Sequence, residues 1–398
     1  MPRRWFAFTG RRAAVPEEKA SRAGPLIAWT GAGRPAWTPR DYGALAREGY
    51  QRNPFVHRAV RLVAEGVGQV PLVLTEGGRE LDAHPALDLL ARPNGRDTRT
   101  SLLEAIAAHL QIAGNAYVEL VAVDGRPAEL HVLRPDRVRV VPGADGWPEA
   151  YDYSVGGRTL RIPLAAERGP APVLHLSAFN PLDDHYGLAP LEAAQVALDV
   201  HNTAAAWNKA LLDNAARPSG ALVYSGPQGL SDDQFERLRR ELEEGFQGAR
   251  NAGRPMLLEG GLDWKTLALT PREMDFVEAR NMAAREIALA FGVPPMLLGI
   301  PGDATYANYQ EANRALWRQT VLPLSARIAE ALGGWLLPAF GDGLTLAPDL
   351  DQVSALHGER EALWRRIGAA SFLTEDEKRA AVGYGPRAAA ERGTRSWT

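Results

Sequence analysis

The chain has 398 residues, of which 45% are hydrophobic and 23% charged, which is ordinary globular usage and enough for two or three domains. Lys and Arg together number 45 against 48 Asp and Glu. The resulting net charge of −3 excludes a molecule whose overall field condenses DNA or an anionic membrane. The absence of cysteine excludes disulfides, zinc–thiolate sites, iron–sulfur clusters and a cysteine nucleophile.

Arginine supplies nearly all of the basic charge. The chain has 41 Arg and only four Lys, namely Lys19, Lys209, Lys265 and Lys378. This bias accompanies a richness in Ala, Gly and Pro that is typical of a GC-rich coding genome. Single arginines are therefore poor evidence for a nucleic-acid groove.

The N-terminal region shows no regular hydrophobic period. Residues 1–40 mix Arg, Gly and Pro with isolated aromatics, which predicts a flexible or docking arm. No apolar region follows the basic start, so we expect no secretory signal. The sequence also lacks a run of 18 uncharged apolar residues, which predicts no membrane span.

From Asp41 the pattern is helical, with Asn53 and Pro54 in the cap and first-turn positions of a helix. A strand follows at 71–74, and a second helix runs from Thr100, its predicted N-cap, to Ile112. Between 116 and 176 the hydrophobic period changes to two, in short runs separated by Gly, Pro and Asp. This pattern predicts a small antiparallel sheet.

After Pro190 the chain becomes mostly helical, so the fold class is α+β. Helices are predicted at 190–214, 231–247, 272–291 and 310–337, with strands near 220–225 and around 255–269. In the helix 272–291 a narrow apolar stripe is formed by Phe276, Ala279, Ala283 and Ile287. Such a stripe suits packing against a neighbouring helix, including one of another copy of the chain. On that basis Ala283→Arg is expected to abolish assembly and leave a soluble monomer. In the last helix, Pro323 predicts a kink or a break into two helices.

No enzyme signature is present. The sequence has no phosphate-binding loop, no dinucleotide fingerprint, no H-E-x-x-H and no G-x-S-x-G, so any ATP-driven work falls to another protein. One cluster, Asp183-Asp184-His185, has side chains that could hold a divalent ion or do acid–base chemistry. The favoured interpretation is an Asx turn ahead of the helix that starts near Pro190. We expect no metal and no cofactor.

Several stretches, in order, resemble the portal proteins of tailed bacteriophages, in the branch also found in prophages and gene transfer agents. Together they cover the region from about Trp37 to Leu337. They are the run from Asn53 to Leu72, the "GNAY" strand at Gly114–Tyr117, the "L-x-P-x-x-V" segment at Leu133–Val138, Tyr186–Leu191 with Ala189 where Ser is usual, and the run from Ile287 to Gly299 followed by Thr305–Asn308, Glu311, Thr320 and Pro323. The ordered set is far more specific than any one fragment.

The resemblance implies a portal fold with an α+β wing, a two-helix stem, a small clip, a kinked long helix and a short helical crown. Its expected layout is an N-terminal arm at 1–40, a wing at 41–230, stem helices at 231–247 and 272–292, a clip at 248–271, a tunnel loop at 293–309, the kinked helix and wing completion at 310–350, and a crown and C-terminal tail at 351–398. It further implies a twelve-subunit ring at one capsid vertex, through which double-stranded DNA enters and leaves.

The residues fit a loop that touches DNA without gripping it. Pro294 and Pro295 are expected to stop the preceding helix, and Gly299 and Gly302 to loosen the chain. The polar tip consists of Asp303, Thr305, Tyr306 and Asn308. Between 231 and 291 the sequence has twelve acids and nine bases, a balance that in a ring predicts a slightly negative wall along which DNA slides; an ordinary solvated helix surface would have the same composition.

The implied partners are further copies of the chain, double-stranded DNA, the large terminase ATPase, a head–tail adaptor protein and the major capsid protein, with no membrane. The implied location is the capsid vertex of a virion or phage-like particle assembled in the bacterial cytoplasm. The chain is expected not to be an enzyme. Two alternatives are a metal-dependent hydrolase using Asp183, Asp184 and His185, and another ring-forming neck or adaptor protein of the same particle. The sequence leaves open whether that particle is a true phage or a gene transfer agent.

Overall fold

The computed structural model describes residues 37–165, 169–213, 220–224, 231, 233–237, 239–240, 262–266, 276–301 and 306–384. The chain divides into two compact units, one formed by Met1–Ala36 and Lys209–Thr270 and the other by Trp37–Asn208 and Pro271–Thr398. Each unit is described separately below. Of the predicted arm at 1–40, residues 1–36 lie outside the described residues.

The larger unit begins with helices that carry much of its core. Helix α1 (Tyr42–Leu45) continues as a π-helical turn over Ala46–Gln51, and α2 (Pro54–Gln69) follows. Asn53 caps α2 as predicted, because its Oδ1 accepts the backbone N–H groups of Phe55 at 3.0 Å and Val56 at 3.1 Å. Helices α3 (Pro85–Ala91) and α4 (Arg99–Ala113) complete this layer.

The predicted cap of α4 is wrong by two residues. Thr98, not Thr100, is the N-cap: its Oγ1 accepts the N–H of Ser101 at 3.3 Å, and the Ser101 Oγ accepts the N–H of Thr98 at 2.8 Å. This reciprocal pair is a capping box closed by Ser instead of the usual Glu. Glu104 of the same helix lies beside Gly68 of α2.

Three antiparallel sheets of three strands lie in the described part of the larger unit. Their strand orders are β11-β1-β2, β4-β3-β8 and β5-β6-β7. The strands are β1 (Leu72–Glu76), β2 (Arg79–Glu80), β3 (Asn115–Val123), β4 (Arg126–Leu133), β5 (Val138–Pro142), β6 (Pro148–Val155), β7 (Arg158–Pro163), β8 (Val173–Ser177) and β11 (Leu344–Pro348). The period-two region thus forms two small sheets, and not one.

The remaining helices surround this framework. They are α5 (Pro190–Ala193), α6 (Gln195–Asp213), α7 (Phe276–Ala290), α8 (Tyr306–Leu316), α9 (Leu322–Leu336), α10 (His357–Ala369) and α11 (Glu375–Ala381). One buried cluster joins α2, α4, α9 and the inner sides of β3 and β11. A second cluster, containing Tyr117 and Tyr151, lies between the two small sheets.

The smaller unit is described only in part. Strands β9 (Gly220–Tyr224) and β10 (Leu262–Thr266) pair antiparallel, where the sequence predicted strands. Residues 233–237 and 239–240 are helical, and the Ser231 Oγ accepts the N–H of Gln234 at 3.4 Å. The rest of the predicted helix 231–247 lies outside the described residues.

Two of the family-like stretches meet at one backbone junction. Gly114 ends α4 in the left-handed region with φ +68°, and a Cβ there would lie 2.3 Å from the carbonyl oxygen of Gly187. The Ala178 N–H donates to the Gly114 carbonyl at 2.7 Å, and the Gly187 N–H donates to Asn115 Oδ1 at 2.9 Å. The "GNAY" residues therefore fix the loop that leads into α5.

Replacing Gly114 tests this junction. Gly114→Ala should lower the free energy of unfolding by more than about 3 kcal/mol, because the left-handed backbone costs about 1–2 kcal/mol and the methyl group displaces packed backbone. Gly125 is a matched control, since its φ is +76° but no atom lies within 4 Å of the added Cβ. Gly125→Ala should cost only the backbone strain. Equal losses for the two variants in urea denaturation would contradict the packing argument.

His175 makes the same junction sensitive to pH. Its Nε2 lies 2.9 Å from Asn115 Oδ1, its ring stacks on Tyr117 at 4.3 Å, and burial lowers its pKa to about 4. Unfolded histidine titrates near 6.5, so the unfolded chain binds the extra proton as the pH falls from 6.5 to 4 and stability is lost in that window. Burial also lowers the pKa of His109 to about 4, which adds a loss of the same sign.

We expect His175→Gln to remove about 3 kcal/mol of the stability difference between pH 7 and pH 4. His131→Gln is the comparison variant, at a half-buried strand position where the ring Nε2 lies 2.9 Å from Glu129. Urea unfolding at half-unit pH steps measures both, and parallel curves for His175→Gln and the parent chain would contradict the assignment.

Candidate functional site

The segment that follows α7 makes two helix ends in succession. At the first, the Gly292 N–H donates to the Leu289 carbonyl at 3.0 Å and the Val293 N–H to the Ala288 carbonyl at 2.9 Å, the paired bonds of a Schellman cap. A 3₁₀ turn over Pro295–Leu298 then ends in the same way at Gly299. Val293 and the residue after Gly299, Ile300, are both buried, so each cap is held by an apolar contact.

In the structure the prolines and glycines of this segment have roles that differ from the predicted ones. Helix α7 ends at Ala290, before the prolines, because Gly292 at φ +63° reverses the chain. Pro294 and Pro295 start the next turn instead of stopping the helix. Gly299, at φ +72°, fixes the chain direction as a cap instead of loosening it.

The long helix after the segment is interrupted where Pro323 predicted. Helix α8 is followed by a π-helical turn over Trp317–Val321 and then by α9, with Pro323 in the first turn of α9. Proline has no N–H to donate to the preceding turn, and the wider π turn tolerates the missing hydrogen bond. The turn also ties to the end of α7, since Thr320 Oγ1 donates to the Gly292 carbonyl at 2.7 Å.

The structure places only part of the predicted tunnel loop. Gly302, Asp303 and Thr305 lie outside the described residues. Tyr306 begins α8, and Asn308 is exposed in its first turn. Residues 307–311, in the first half of α8, are all exposed.

The predicted stripe on α7 divides between two environments. Ala283 and Ile287 are 3% and 0% exposed and belong to the chain's own core. Ala279 is exposed, and Phe276 is the first residue of the helix. An arginine at Ala283 would thus be buried inside the subunit and would destabilise the subunit itself, so this substitution cannot separate assembly from folding.

Two exposed apolar side chains of the same helix are not part of the predicted stripe, and the charged Arg285 and Glu286 lie between them. Met282 is 50% and Leu289 80% exposed, and they lie two turns apart on one side of α7. Helix α6 likewise exposes Val196 and Val200, at 61% and 40%. The sequence places apolar residues on more than one side of the helix. A hydrophobic pattern alone does not show which of these residues the chain's own core covers.

The Asp183-Asp184-His185 cluster is a turn, as the favoured interpretation expected. Asp183 Oδ1 accepts the N–H of His185 at 2.8 Å and of Tyr186 at 2.9 Å, and these two backbone bonds lower the pKa of Asp183. Within the described ranges, no group of three His, Asp or Glu side chains has a geometry that could hold a metal ion. The same part of the chain contains no helix long and apolar enough to cross a membrane.

Comparison with known proteins identifies the class. A sequence model of the phage portal protein family matches residues 54–383. The chain is 43% identical to an uncharacterised protein of Rickettsia felis over 87% of its length and 91% of the relative's. It is 27% identical to the probable portal protein of Streptomyces phage phiC31, over 88% and 81% of the two chains.

Solved structures agree with this match. A chain in the neck of an empty gene transfer agent (GTA) particle is 56% identical, with a TM-score of 0.70 over 89% of this chain and 96% of that one. A portal protein of the HK97 family from Corynebacterium diphtheriae, 18% identical, shares the fold with a TM-score of 0.57 over 80% and 99%. The chain belongs to the phage portal protein family, and its mixed α+β architecture is the portal fold.

Membership of the phage portal protein family decides between the portal interpretation and the two alternatives. Portal proteins are structural components and not enzymes, so the hydrolase alternative is excluded together with its proposed ligands Asp183, Asp184 and His185. The match runs through the whole segment from α2 to α11, which also excludes an unrelated neck or adaptor protein.

Proposed function

We propose that this protein is the portal subunit of a gene transfer agent or phage-like particle, and that its copies form the ring through which double-stranded DNA enters and leaves the capsid. One observation supports the proposal: chains 56% identical to this one over about nine-tenths of its length lie in the neck of GTA particles, one computed with C6 and one with C12 symmetry. A ring of twelve copies requires contacts between unlike faces of neighbouring subunits.

The larger unit is the proposed wing. It holds the three small sheets and the interrupted long helix, with α10 and α11 as the short crown. Neither crown helix has a buried residue. Trp364 on α10 is exposed, and so is Phe372 in the turn between the two helices. Exposed aromatics of this kind fit surfaces that are covered in an assembly.

The division into two units favours a revised stem. A stem joins the wing to the clip, and the chain passes from one unit to the other at Asn208–Lys209, within α6, and again at Thr270–Pro271, just before α7. We therefore propose α6 and α7 as the stem helices. The predicted stem helix at 231–247 falls inside the smaller unit, and the stretch Lys209–Thr270 of that unit becomes the proposed clip.

The segment between α7 and α8 is the proposed tunnel loop. The double cap gives it a fixed root, and the exposed first turn of α8 continues into it. Its polar residues at 302–308 include one acid and no base, so it offers phosphate no cation to bind. Duplex DNA is expected to pass such a loop without being retained.

The proposed partners follow from the same function. Since the chain has no ATP-binding motif, translocation requires a separate motor, the large terminase. We further propose that a head–tail adaptor binds the clip and that the major capsid protein surrounds the wing. The proposed location is the vertex of the particle, assembled in the bacterial cytoplasm.

Electron microscopy of the purified protein tests the ring. We expect annular particles with a central hole and, in class averages, twelvefold symmetry. The mass should be about twelve times that of the 43.2 kDa chain. A monodisperse monomer or a twofold dimer at concentrations up to about 10 µM, well above typical assembly constants, would contradict the proposal.

Added positive charge tests the conduit. Asp303→Arg and Thr305→Arg should each reduce the nuclease-protected DNA per particle several-fold, because a ring of arginines binds the phosphates that must slide past. The control is Trp147→Arg, which places the same charge on an exposed turn outside the loop. Unchanged DNA content in both loop variants would contradict a DNA-facing loop.

A further inference from the structure

Helices α10 and α11 form a hairpin with an open groove between them. Neither helix has a buried residue, so the hairpin alone encloses little apolar surface. The groove has a volume of about 370 Å³, and its walls include Trp364, Ile367, Gly368, Lys378, Val382 and Tyr384. The two aromatic residues among them are 47% and 44% exposed. Half-exposed aromatic side chains around a groove mark a binding surface.

The end of α11 turns the chain back toward this groove. Gly383 has a φ of +88°, and its N–H donates to the Ala380 carbonyl at 3.1 Å. The Tyr384 N–H donates to the Arg379 carbonyl at 2.8 Å, which completes a Schellman cap. The Arg379 guanidinium also lies 5.7 Å from the centroid of the Tyr384 ring. Tyr384 is thus a fixed part of the groove wall, and the chain continues from that point.

The residues that follow contain a side chain that suits the groove. Residues 385–398 lie outside the described residues, and Trp397 is the single large apolar residue among them. A linker of the thirteen residues from Tyr384 to Trp397 spans about 20 Å on average. Helix α10, with 13 residues, is also about 20 Å long. Trp397 is therefore within reach of the whole groove.

Charge favours the same segment. Residues 385–398 carry three arginines and one glutamate, a net charge of +2. Helix α11 carries two bases and three acids, and the acids are the exposed Glu375, Asp376 and Glu377 of its first turn. Glu375 also lines the groove. Because Arg395 precedes Trp397 by two residues, an indole in the groove brings a guanidinium close to these carboxylates.

We propose that Trp397 of the chain's own C-terminal segment occupies the groove between α10 and α11, with its indole against Trp364 and Ile367. Docking removes the indole and the apolar groove wall from water together. The short connection makes the contact intramolecular, with an effective concentration in the millimolar range. The docked segment then holds α11 on α10. This contact needs no second copy, so it is independent of the proposed ring.

Cysteine cross-linking tests the docking, because the natural chain has no cysteine. Gly368 lies in the groove wall, and a Cβ there meets no atom within 4 Å, so Gly368→Cys should fold. Ser396→Cys places the second thiol beside Trp397 with little change in size. The full chain with both substitutions is oxidised and separated on a non-reducing gel. We expect a disulfide within the single chain, identified by mass spectrometry of the linked peptides.

The matched control combines Gly358→Cys with Ser396→Cys. Gly358 is also exposed on α10 with no atom within 4 Å of an added Cβ, but it lies about 15 Å from Gly368. A disulfide requires 3.5–4.5 Å between Cβ atoms, so we expect at least about tenfold less product for the control. Adding Trp397→Ala to the Gly368 pair should lower its yield to that of the control. The reduced variants should melt at the temperature of the parent chain.

Every other outcome overturns the docking. Equal yields for the Gly368 and Gly358 pairs, or a Gly368 yield that Trp397→Ala leaves unchanged, would mean that the indole does not select the groove. A product of twice the chain mass in place of the intramolecular one would assign the groove to Trp397 of a second copy. Absence of any product would assign it to a different occupant. Rings seen by electron microscopy are a separate measurement, so failure of the docking leaves the portal function standing.

Discussion

The close approach of two backbones at Gly114 and Gly187 is the constraint on which the larger unit depends. Neither position has room for a Cβ, and Asn115 satisfies the surrounding backbone groups from both sides, accepting from Gly187 and donating to the Ala113 carbonyl at 2.8 Å. The end of α4, the start of β3 and the loop before α5 therefore cannot move independently. Because α6 follows α5 directly, this junction also sets where the first proposed stem helix starts.

A second backbone junction fixes the end of α7, the other proposed stem helix. At Gly292 a Cβ would lie 2.7 Å from Thr320 Oγ1, and Val321 of the π turn lies against Gly66 of α2. The end of α7, the interrupted helix and the core helix α2 are thus joined through positions without side chains. Close packing of this kind transmits displacement instead of absorbing it. A shift of α7 would therefore also displace the π turn and α2.

Sequence patterns predicted the elements well and their ends less well. The period of two between 116 and 176 identified the strands, and Asn53-Pro54 located the start of α2, because both signals are local. The cap of α4 was misplaced since Thr98 and Thr100 are equivalent in the sequence and differ only in which one meets Ser101. The end of α7 was predicted at residue 291, one residue past Ala290. Its stop was attributed to Pro294 and Pro295, whereas Gly292 and the buried Val293 complete the cap before the prolines.

Helix α7 shows why a single sequence does not locate the surface through which a subunit contacts another copy. Periodicity identified an apolar stripe on α7 at Ala283 and Ile287, but the stripe alone does not say whether it meets its own chain or another. Burial supplies the answer, because those two side chains are already enclosed while Met282 and Leu289 remain exposed. In a ring-forming subunit the residues left exposed by the single chain are the ones available for assembly.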